Sequence, residues 1–267
     1  MSSLIKAALL GILQGVTEFL PISSTAHLLI GERVLGFEDP GGVFTVMIQL
    51  GSILAVAWLY REKLVAVVTG LPSRPEARRF VLMIGLATTP ALVAGALFSA
   101  FVKSVLYGSL VVIAVAFVVG GVVILIVERV RPTPDVVDVD ALPVGRAFAI
   151  GSFQALALIP GVSRSGGTIV AAMAMRVDRA AAAEFTFFLA MPTMAAAFAH
   201  DWLAVRHDLA SARGLEIAVG FVTAFIASAL VVKPFLSYVR RSGFAPFAWY
   251  RIACGVALLA ATAGGWM

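Results

Sequence analysis

Cysteine is almost absent from this chain: Cys254 stands alone within an apolar run. A lone thiol excludes an intrachain disulfide and argues against a zinc cluster or thiol redox chemistry. Charge is scarce as well, at 13% of 267 residues, against 61% hydrophobic residues and a mean hydropathy of +1.00. Folded soluble proteins carry about a quarter charged residues, so a soluble domain of this size has no way to hide so much apolar surface. Strict alternation of period two is missing too, which argues against a membrane β-barrel, whose strands alternate lipid-facing and lumen-facing residues. What remains is an all-α polytopic membrane protein, because helices satisfy their own backbone hydrogen bonds in hydrocarbon. The net charge of +5 does not point to nucleic acid, since basic residues of membrane proteins gather in cytoplasmic loops.

Six apolar runs approach the roughly 20 residues that a helix needs to cross the bilayer: about 43–60, 80–100, 109–129, 184–204, 214–232 and 246–265. Two more are apolar but interrupted. Leu4 to Val34 breaks at Leu20-Pro21, and Ala147 to Met175 breaks at Pro160-Gly161. Proline lacks the amide donor and turns the preceding residue away from helix. Irregular backbone at membrane depth persists only where it is buried in protein or lines a wet cavity. Both stretches are therefore expected to be re-entrant helical hairpins. The N-terminal stretch looks like a signal peptide, with Lys6 ahead of apolar residues. No small-residue cleavage site precedes Glu18, so it is read as part of the mature chain.

The two interrupted segments resemble each other. Gly11-Ile12-Leu13-Gln14 aligns with Gly151-Ser152-Phe153-Gln154 at an offset of 140, and Phe44-Thr45 with Phe185-Thr186 at 141. Gly85 and Thr88 match Gly220 and Thr223 at 135, more weakly. One membrane domain built from two repeats, about 1–130 and 146–267, is the expectation. Three spans per repeat force the copies into opposite orientations. With both termini outside, thirteen of the 20 Lys and Arg fall in cytoplasmic segments, between 61–79, 129–146, 176–179 and 233–241, against five outside. That asymmetry follows the positive-inside tendency and sets the expected topology. Inverted repeats with broken helices place binding sites near the midplane, where the breaks meet.

The polar residues of the two breaks therefore belong together. Gln14 and Glu18 are four apart and share a helix face. After Pro21 come Ser23, Ser24 and Thr25, then His27, three residues after Ser24 and adjacent to it on a helix. Helix starts carry free N–H groups and the positive end of the dipole, which suit an anion. The second break offers Ser163-Arg164-Ser165-Gly166-Gly167. Arginine at membrane depth is expensive and usually faces a functional cavity; its planar fork matches phosphate oxygens, and the glycines let backbone N–H groups come close. Glu184 is placed to join or support the set. Carboxylate, serine, histidine and arginine together fit phosphoryl transfer. Glu18 with Gln14 would hold a divalent cation. Blander roles compete: Ser23 as a helix cap, Gln14 as a helix–helix hydrogen bond. His200, Asp201, His207 and Asp208 are read as a wet surface, not a metal site.

At these residues the chain resembles the undecaprenyl-diphosphate phosphatase family, also called the bacitracin-resistance family. Four stretches carry the likeness: Gln14 to His27 (QGVTEFLPISSTAH), Met47 to Val56 (MIQLGSILAV), Pro160 to Thr168 (PGVSRSGGT) and Ala183 to Phe187 (AEFTF). The resemblance implies a multi-pass enzyme of the bacterial inner membrane with six spans and two re-entrant helices. It would remove the terminal phosphate of undecaprenyl diphosphate, so that the lipid carrier is recycled for peptidoglycan and other envelope polymers. It also implies a site open to the periplasm and a divalent cation, Mg²⁺ or Ca²⁺. Glu18, Ser24, His27 and Arg164 fall on catalytic motif positions, and Ser23, Ser163 and Ser165 on polar ones. Ser23, Thr25, Ser163, Arg164, Ser165 and Gly166 are the candidate phosphate contacts. Many members carry a second glutamate where this chain has Gln14, which bears on cation affinity.

The working expectation makes Ser24 the nucleophile and His27 its base, with His27 as nucleophile the alternative. The expected partners are a polyprenyl diphosphate and the bilayer, with a homodimer as the assembly expectation and no nucleic acid. Broken helices alone equally fit a transporter or flippase of a lipid phosphate or other anion. A channel fits less well, because neither a ring of like charge nor a carbonyl filter is evident. Transport needs no nucleophile, so the Ser24-His27 pair favours hydrolysis.

Overall fold

The computed structural model describes residues 1–106, 109–205 and 213–264. They form eleven α-helices in chain order: α1 (Ser3–Thr17), α2 (Ser24–Leu35), α3 (Val43–Leu59), α4 (Arg61–Gly70), α5 (Pro75–Val105), α6 (Leu110–Val130), α7 (Val144–Phe153), α8 (Arg164–Ala174), α9 (Arg179–Val205), α10 (Gly214–Ser242) and α11 (Ala245–Ala263). Among the described residues the only β-type pairing is a single bridge, Val136 to Val177. Five helices are long and apolar enough to span a membrane: α5, α6, α9, α10 and α11. A sixth span arises if α3 and α4 count as one, bent by 73°. The all-helical, multi-pass reading therefore holds. The charged stretch after residue 60, expected as a loop, is the helix α4. It turns away at Tyr60, where the apolar run gives way to Arg61, Glu62 and Lys63.

Both interrupted stretches are two short helices with irregular backbone between them. α1 stops at Thr17 ahead of Pro21, and α2 starts at Ser24. α7 runs into a tighter turn over Gln154–Leu158 and stops before Pro160; α8 starts at Arg164. Gly161 takes φ +89°, and a Cβ there would sit 2.8 Å from the Ile113 carbonyl oxygen, so the second break tolerates only glycine.

The short helices dock on distant parts of the chain. α1 lies along α10, and α7 lies along α5; α3 also packs on α10, and α9 on α5. α6 and α11 pair with each other, as do α3 and α9. Glycine allows the closest approaches. A Cβ on Gly11 would fall 2.3 Å from the Gly220 carbonyl oxygen, and one on Gly151 would fall 2.0 Å from that of Ala87. Backbones meeting this closely gain dispersion, which drives helix association in lipid. The largest apolar core surrounds Phe185, Phe187 and Phe188 of α9, with Phe19 of the first break edge-on to Phe187 at 5.2 Å. The break is thus seated on the core and fixed relative to it.

Candidate active site

Glu18 is the hub of the site. It caps α1 and is 5% exposed. Its Oε2 accepts a hydrogen bond from Ser24 Oγ at 2.5 Å and another from Gln14 Nε2 at 2.7 Å. Its Oε1 takes the guanidinium of Arg164, the first residue of α8. Ser165 Oγ adds a bond to the Leu20 carbonyl at 2.7 Å. The two breaks, expected to meet, are therefore tied by an ion pair and a hydrogen bond.

Ser24 owes its placement to strained backbone. Ser23 has φ +69°, a left-handed conformation that serine rarely adopts and that costs on the order of 1–3 kcal/mol. His27 holds it: Nδ1 lies 2.8 Å from the Ser23 carbonyl. A carbonyl only accepts, so Nδ1 carries the proton, and in the neutral ring Nε2 accepts from the Tyr250 hydroxyl at 2.8 Å. The two rings stack at 5.7 Å. Ser24 and His27 are thus not hydrogen-bonded to each other here: both ring nitrogens of His27 engage other groups, and Ser24 Oγ donates its hydrogen bond to a carboxylate.

Beside this cluster lies a cavity of about 440 Å³. Glu18, Ser23, Ser24, Thr25, Ser163 and Arg164 are among its lining residues. Ala91, Leu92 and Ala96 of α5 face Met194 and Ala197 of α9 along its apolar walls. Pro90 and Pro192 interrupt the hydrogen-bond ladders of these two helices beside the cavity. His27, Gln14, Ser165 and Gly166 are not among the lining residues. Ser165 bonds Leu20 and lies 2.9 Å from Ser163 Oγ, and the Gly166 N–H is capped by Ser163 Oγ at 3.0 Å. Those expected phosphate contacts are instead internal fastenings of the second break. Glu184 is also elsewhere, among Lys63, Asp138, Asp140 and Arg240. His200 borders the cavity; the Asp201 side chain, His207 and Asp208 lie outside the described residues.

Polar lining residues missed as site members are Gln49, Ser99, Gln154 and Thr193. Thr193 Oγ1 donates to the Leu189 carbonyl and accepts from Gln154 Nε2 at 2.9 Å, leaving Gln154 Oε1 buried without a partner. The repeat match to Gln14 was the signal for Gln154. Tyr250 gave none, since an aromatic residue near a helix end is commonplace.

A divalent cation is testable against these donors. Gln14 Oε1 is buried and unpartnered next to the Glu18 carboxylate. Among the described residues no three His, Cys, Asp or Glu side chains gather around a metal position. One carboxylate and one amide oxygen are too few for a protein-only cage, but Mg²⁺ commonly keeps waters and binds substrate phosphates. The donor set fits an ion shared with a phosphate ligand.

Apolar spans enclosing a charged, serine-bearing junction of two broken helices define a multi-pass membrane protein with a polar site between the breaks. The chain belongs to the family described as bacitracin resistance protein BacA, whose model matches residues 7–257. It is 49% identical over 253 residues to undecaprenyl-diphosphatase 1 of Agrobacterium fabrum, covering 95% of this chain and 94% of that protein. The undecaprenyl-diphosphatase of Phenylobacterium zucineum is 50% identical over 256 residues, covering 96% of each. That of Cereibacter sphaeroides is 48% identical over 265 residues, covering 99% and 98%.

Proposed function

We propose that this protein hydrolyses undecaprenyl diphosphate to undecaprenyl phosphate and inorganic phosphate, recycling the lipid carrier of peptidoglycan and envelope polymer synthesis. Relatives of about half identity over nearly the whole chain carry that activity in their names. The observation that carries the chemistry is the 2.5 Å hydrogen bond from Ser24 Oγ to the buried Glu18 carboxylate. Binding or transport of an anion has no use for a hydroxyl poised on a carboxylate, whereas attack of a serine on phosphorus is helped by a base in that position.

In this reading Arg164 neutralises Glu18 until a diphosphate draws the guanidinium to its own oxygens. Glu18 is then free to take the Ser24 proton as Ser24 Oγ bonds to the terminal phosphorus. The bond from that phosphorus to the bridging oxygen breaks, and undecaprenyl phosphate leaves with the electron pair. Water then attacks the phosphoserine, inorganic phosphate departs, and Glu18 returns the proton to Ser24. Ser23, Thr25, Ser163 and Arg164 contact the phosphates, and the apolar walls from α5 and α9 take the start of the prenyl tail. His27 serves as the brace of Ser23. A divalent cation held by Glu18 and Gln14 with the diphosphate would offset charge on the phosphate oxygens.

The topology belongs to the same proposal: one domain, two inverted repeats of about 1–130 and 146–267, six spans counting α3–α4 as one, and two re-entrant hairpins. Exchanging α1, α3, α5 and α6 for α7, α9, α10 and α11 maps α1–α10 onto α7–α5 and α3–α10 onto α9–α5, and returns α6–α11 and α3–α9 to themselves. The cavity lining reaches Ser99 and His200 near the ends of α5 and α9. Those ends lie opposite the basic segments, supporting termini and mouth on the periplasmic side of the inner membrane. Whether two copies pair as a homodimer is part of the expectation, and cross-linking in membranes addresses it.

The test is phosphate release from undecaprenyl diphosphate by purified protein, with and without chelator, for wild type and Arg164→Ala. Wild type that binds the lipid yet releases no phosphate with any cation overturns the reading in favour of a transporter.

A further inference from the structure

Arg251 is the largest fully buried side chain among the described residues, 2% exposed in the second turn of the apolar helix α11. Among the described residues, its four hydrogen bonds all go to backbone carbonyls and none to a carboxylate. Nη1 donates to the Pro21 carbonyl at 3.0 Å, and Nη2 to the Gly161 carbonyl at 3.0 Å. Nη2 also reaches Ala116 at 2.9 Å, and Nε reaches Phe117 at 3.4 Å. Pro21 and Gly161 are the two break residues, each with a carbonyl that no helix ladder claims. One guanidinium therefore joins both breaks to each other and to α6. Its neighbour Tyr250 bonds His27, which holds Ser23.

A charge buried without a counter-ion is costly, and at membrane depth such residues mark function. Arginine suits this position because its rigid fork offers five donors in one plane, which lysine does not. Gly120 of α6 makes the room: a Cβ there would lie 2.2 Å from Nη2 and 2.7 Å from Cζ of Arg251. The guanidinium also sits against the first turn of α8, 3.3 Å from where a Cβ on Gly166 would be. The reacting groups are divided between the breaks, Glu18 and Ser24 on one and Arg164 and Ser163 on the other. Their relative placement depends on whatever fixes one break against the other.

We propose that Arg251 is a positioning residue for the reaction: it clamps the Pro21 carbonyl to the Gly161 carbonyl and so holds Ser24 and Glu18 in register with Arg164. This rests on the hydrolase reading above. The clamp acts on alignment during the chemical step, not on lipid binding.

The experiment compares purified wild type, Arg251→Met, Arg251→Lys and Gly120→Ala in phosphate release from undecaprenyl diphosphate. kcat is expressed per folded protein, and the folded fraction is taken from size exclusion and thermal unfolding. Arg251→Met is expected to lose kcat by roughly a hundredfold, the usual cost of about 1 Å of misplacement, with KM held within a few-fold. Arg251→Lys should recover part of that loss, because an ammonium reaches fewer carbonyls at once. Gly120→Ala, whose methyl would meet the Arg251 guanidinium first, should lower kcat in the same sense. If Arg251→Met fails to fold, Gly120→Ala decides alone. A folded variant of either kind with wild-type kcat, or a defect carried by KM alone, overturns the clamp. Wild type without phosphate release sinks the hydrolase reading and the clamp's catalytic role with it.

Discussion

Arg164 and Glu18 meet as an ion pair across 146 positions of the chain. Each stands at a break in an apolar segment, and neither break is complete alone: the first brings the hydroxyl and carboxylate, the second the guanidinium. In the same carboxylate the other oxygen receives Ser24. Glu18 thus connects the group that would attack phosphorus with the group that would hold it. A ligand that engages Arg164 therefore also changes the electrostatic surroundings of Ser24 through their shared carboxylate.

Removing the Ser24 hydroxyl should abolish turnover while leaving lipid binding in place. Ser24→Ala is expected to lower phosphate release by at least roughly a thousandfold, in the range seen when a nucleophile is removed. Glu18→Gln should cost about 10²–10⁴-fold, the usual contribution of a positioned base. Single-turnover phosphate release with matched lipid-binding measurements checks both. Wild-type turnover in Ser24→Ala excludes it as the nucleophile.

His27 separates two roles by its pH behaviour. If it braces Ser23 through Nδ1 and receives Tyr250 at Nε2, His27→Asn lowers kcat to a similar degree at every pH, and the profile keeps its shape. Tyr250→Phe should then produce a milder defect of the same form. Were His27 the base for Ser24, the limb of the profile that its imidazole produces would vanish in His27→Asn. Measuring kcat/KM from pH 5 to 9 for both variants distinguishes these outcomes.

Much of this arrangement was legible because hydrocarbon punishes polar groups. Glu18, Ser24 and Arg164 stood out in apolar runs, and Pro21 and Pro160 announced where the helices stop. The partner of each polar group was less legible, since spacing along a helix does not say which way a ring turns. Ser24 and His27 are three apart, yet the left-handed Ser23 sends the hydroxyl to Glu18 and the imidazole to Tyr250. Helix α4 was hidden by the charges of Arg61, Glu62 and Lys63, which read as a loop but form the first turn of a short helix beyond the bend. Arg251 did carry a signal, a cation inside the run 246–265. The loop-centred reading of basic residues passed over it.

Close helix contact at Gly151 yields a stability prediction independent of chemistry. An alanine there would place its methyl 2.0 Å from the Ala87 carbonyl oxygen, so α7 must move off α5. Overpacking of this kind typically costs about 1–3 kcal/mol, to be read as a lowered unfolding midpoint in detergent. Gly85→Ala is the control, because nothing lies within 4 Å of its would-be Cβ, and it should remain within about 0.5 kcal/mol of wild type. Equal effects of the two changes would place the α5–α7 contact elsewhere.

Gln14→Glu tests the cation through stability as well as activity. In the wild type the Gln14 amide donates to Glu18 Oε2 at 2.7 Å. A carboxylate in its place removes that donor and sets two acceptors against each other in a buried site. Without cation this should destabilise the protein by about 1–3 kcal/mol, the cost of a buried polar group that loses its partner. Added Mg²⁺ or Ca²⁺ should restore the loss, because two carboxylates bind a hard cation more strongly than a carboxylate and an amide. The unfolding midpoint of Gln14→Glu should therefore rise with cation concentration far more steeply than that of wild type. The concentration giving half-maximal phosphate release should also fall, by roughly tenfold for each 1.4 kcal/mol of added affinity. A variant whose unfolding ignores both cation and chelator would remove Gln14 and Glu18 from any role in holding the ion.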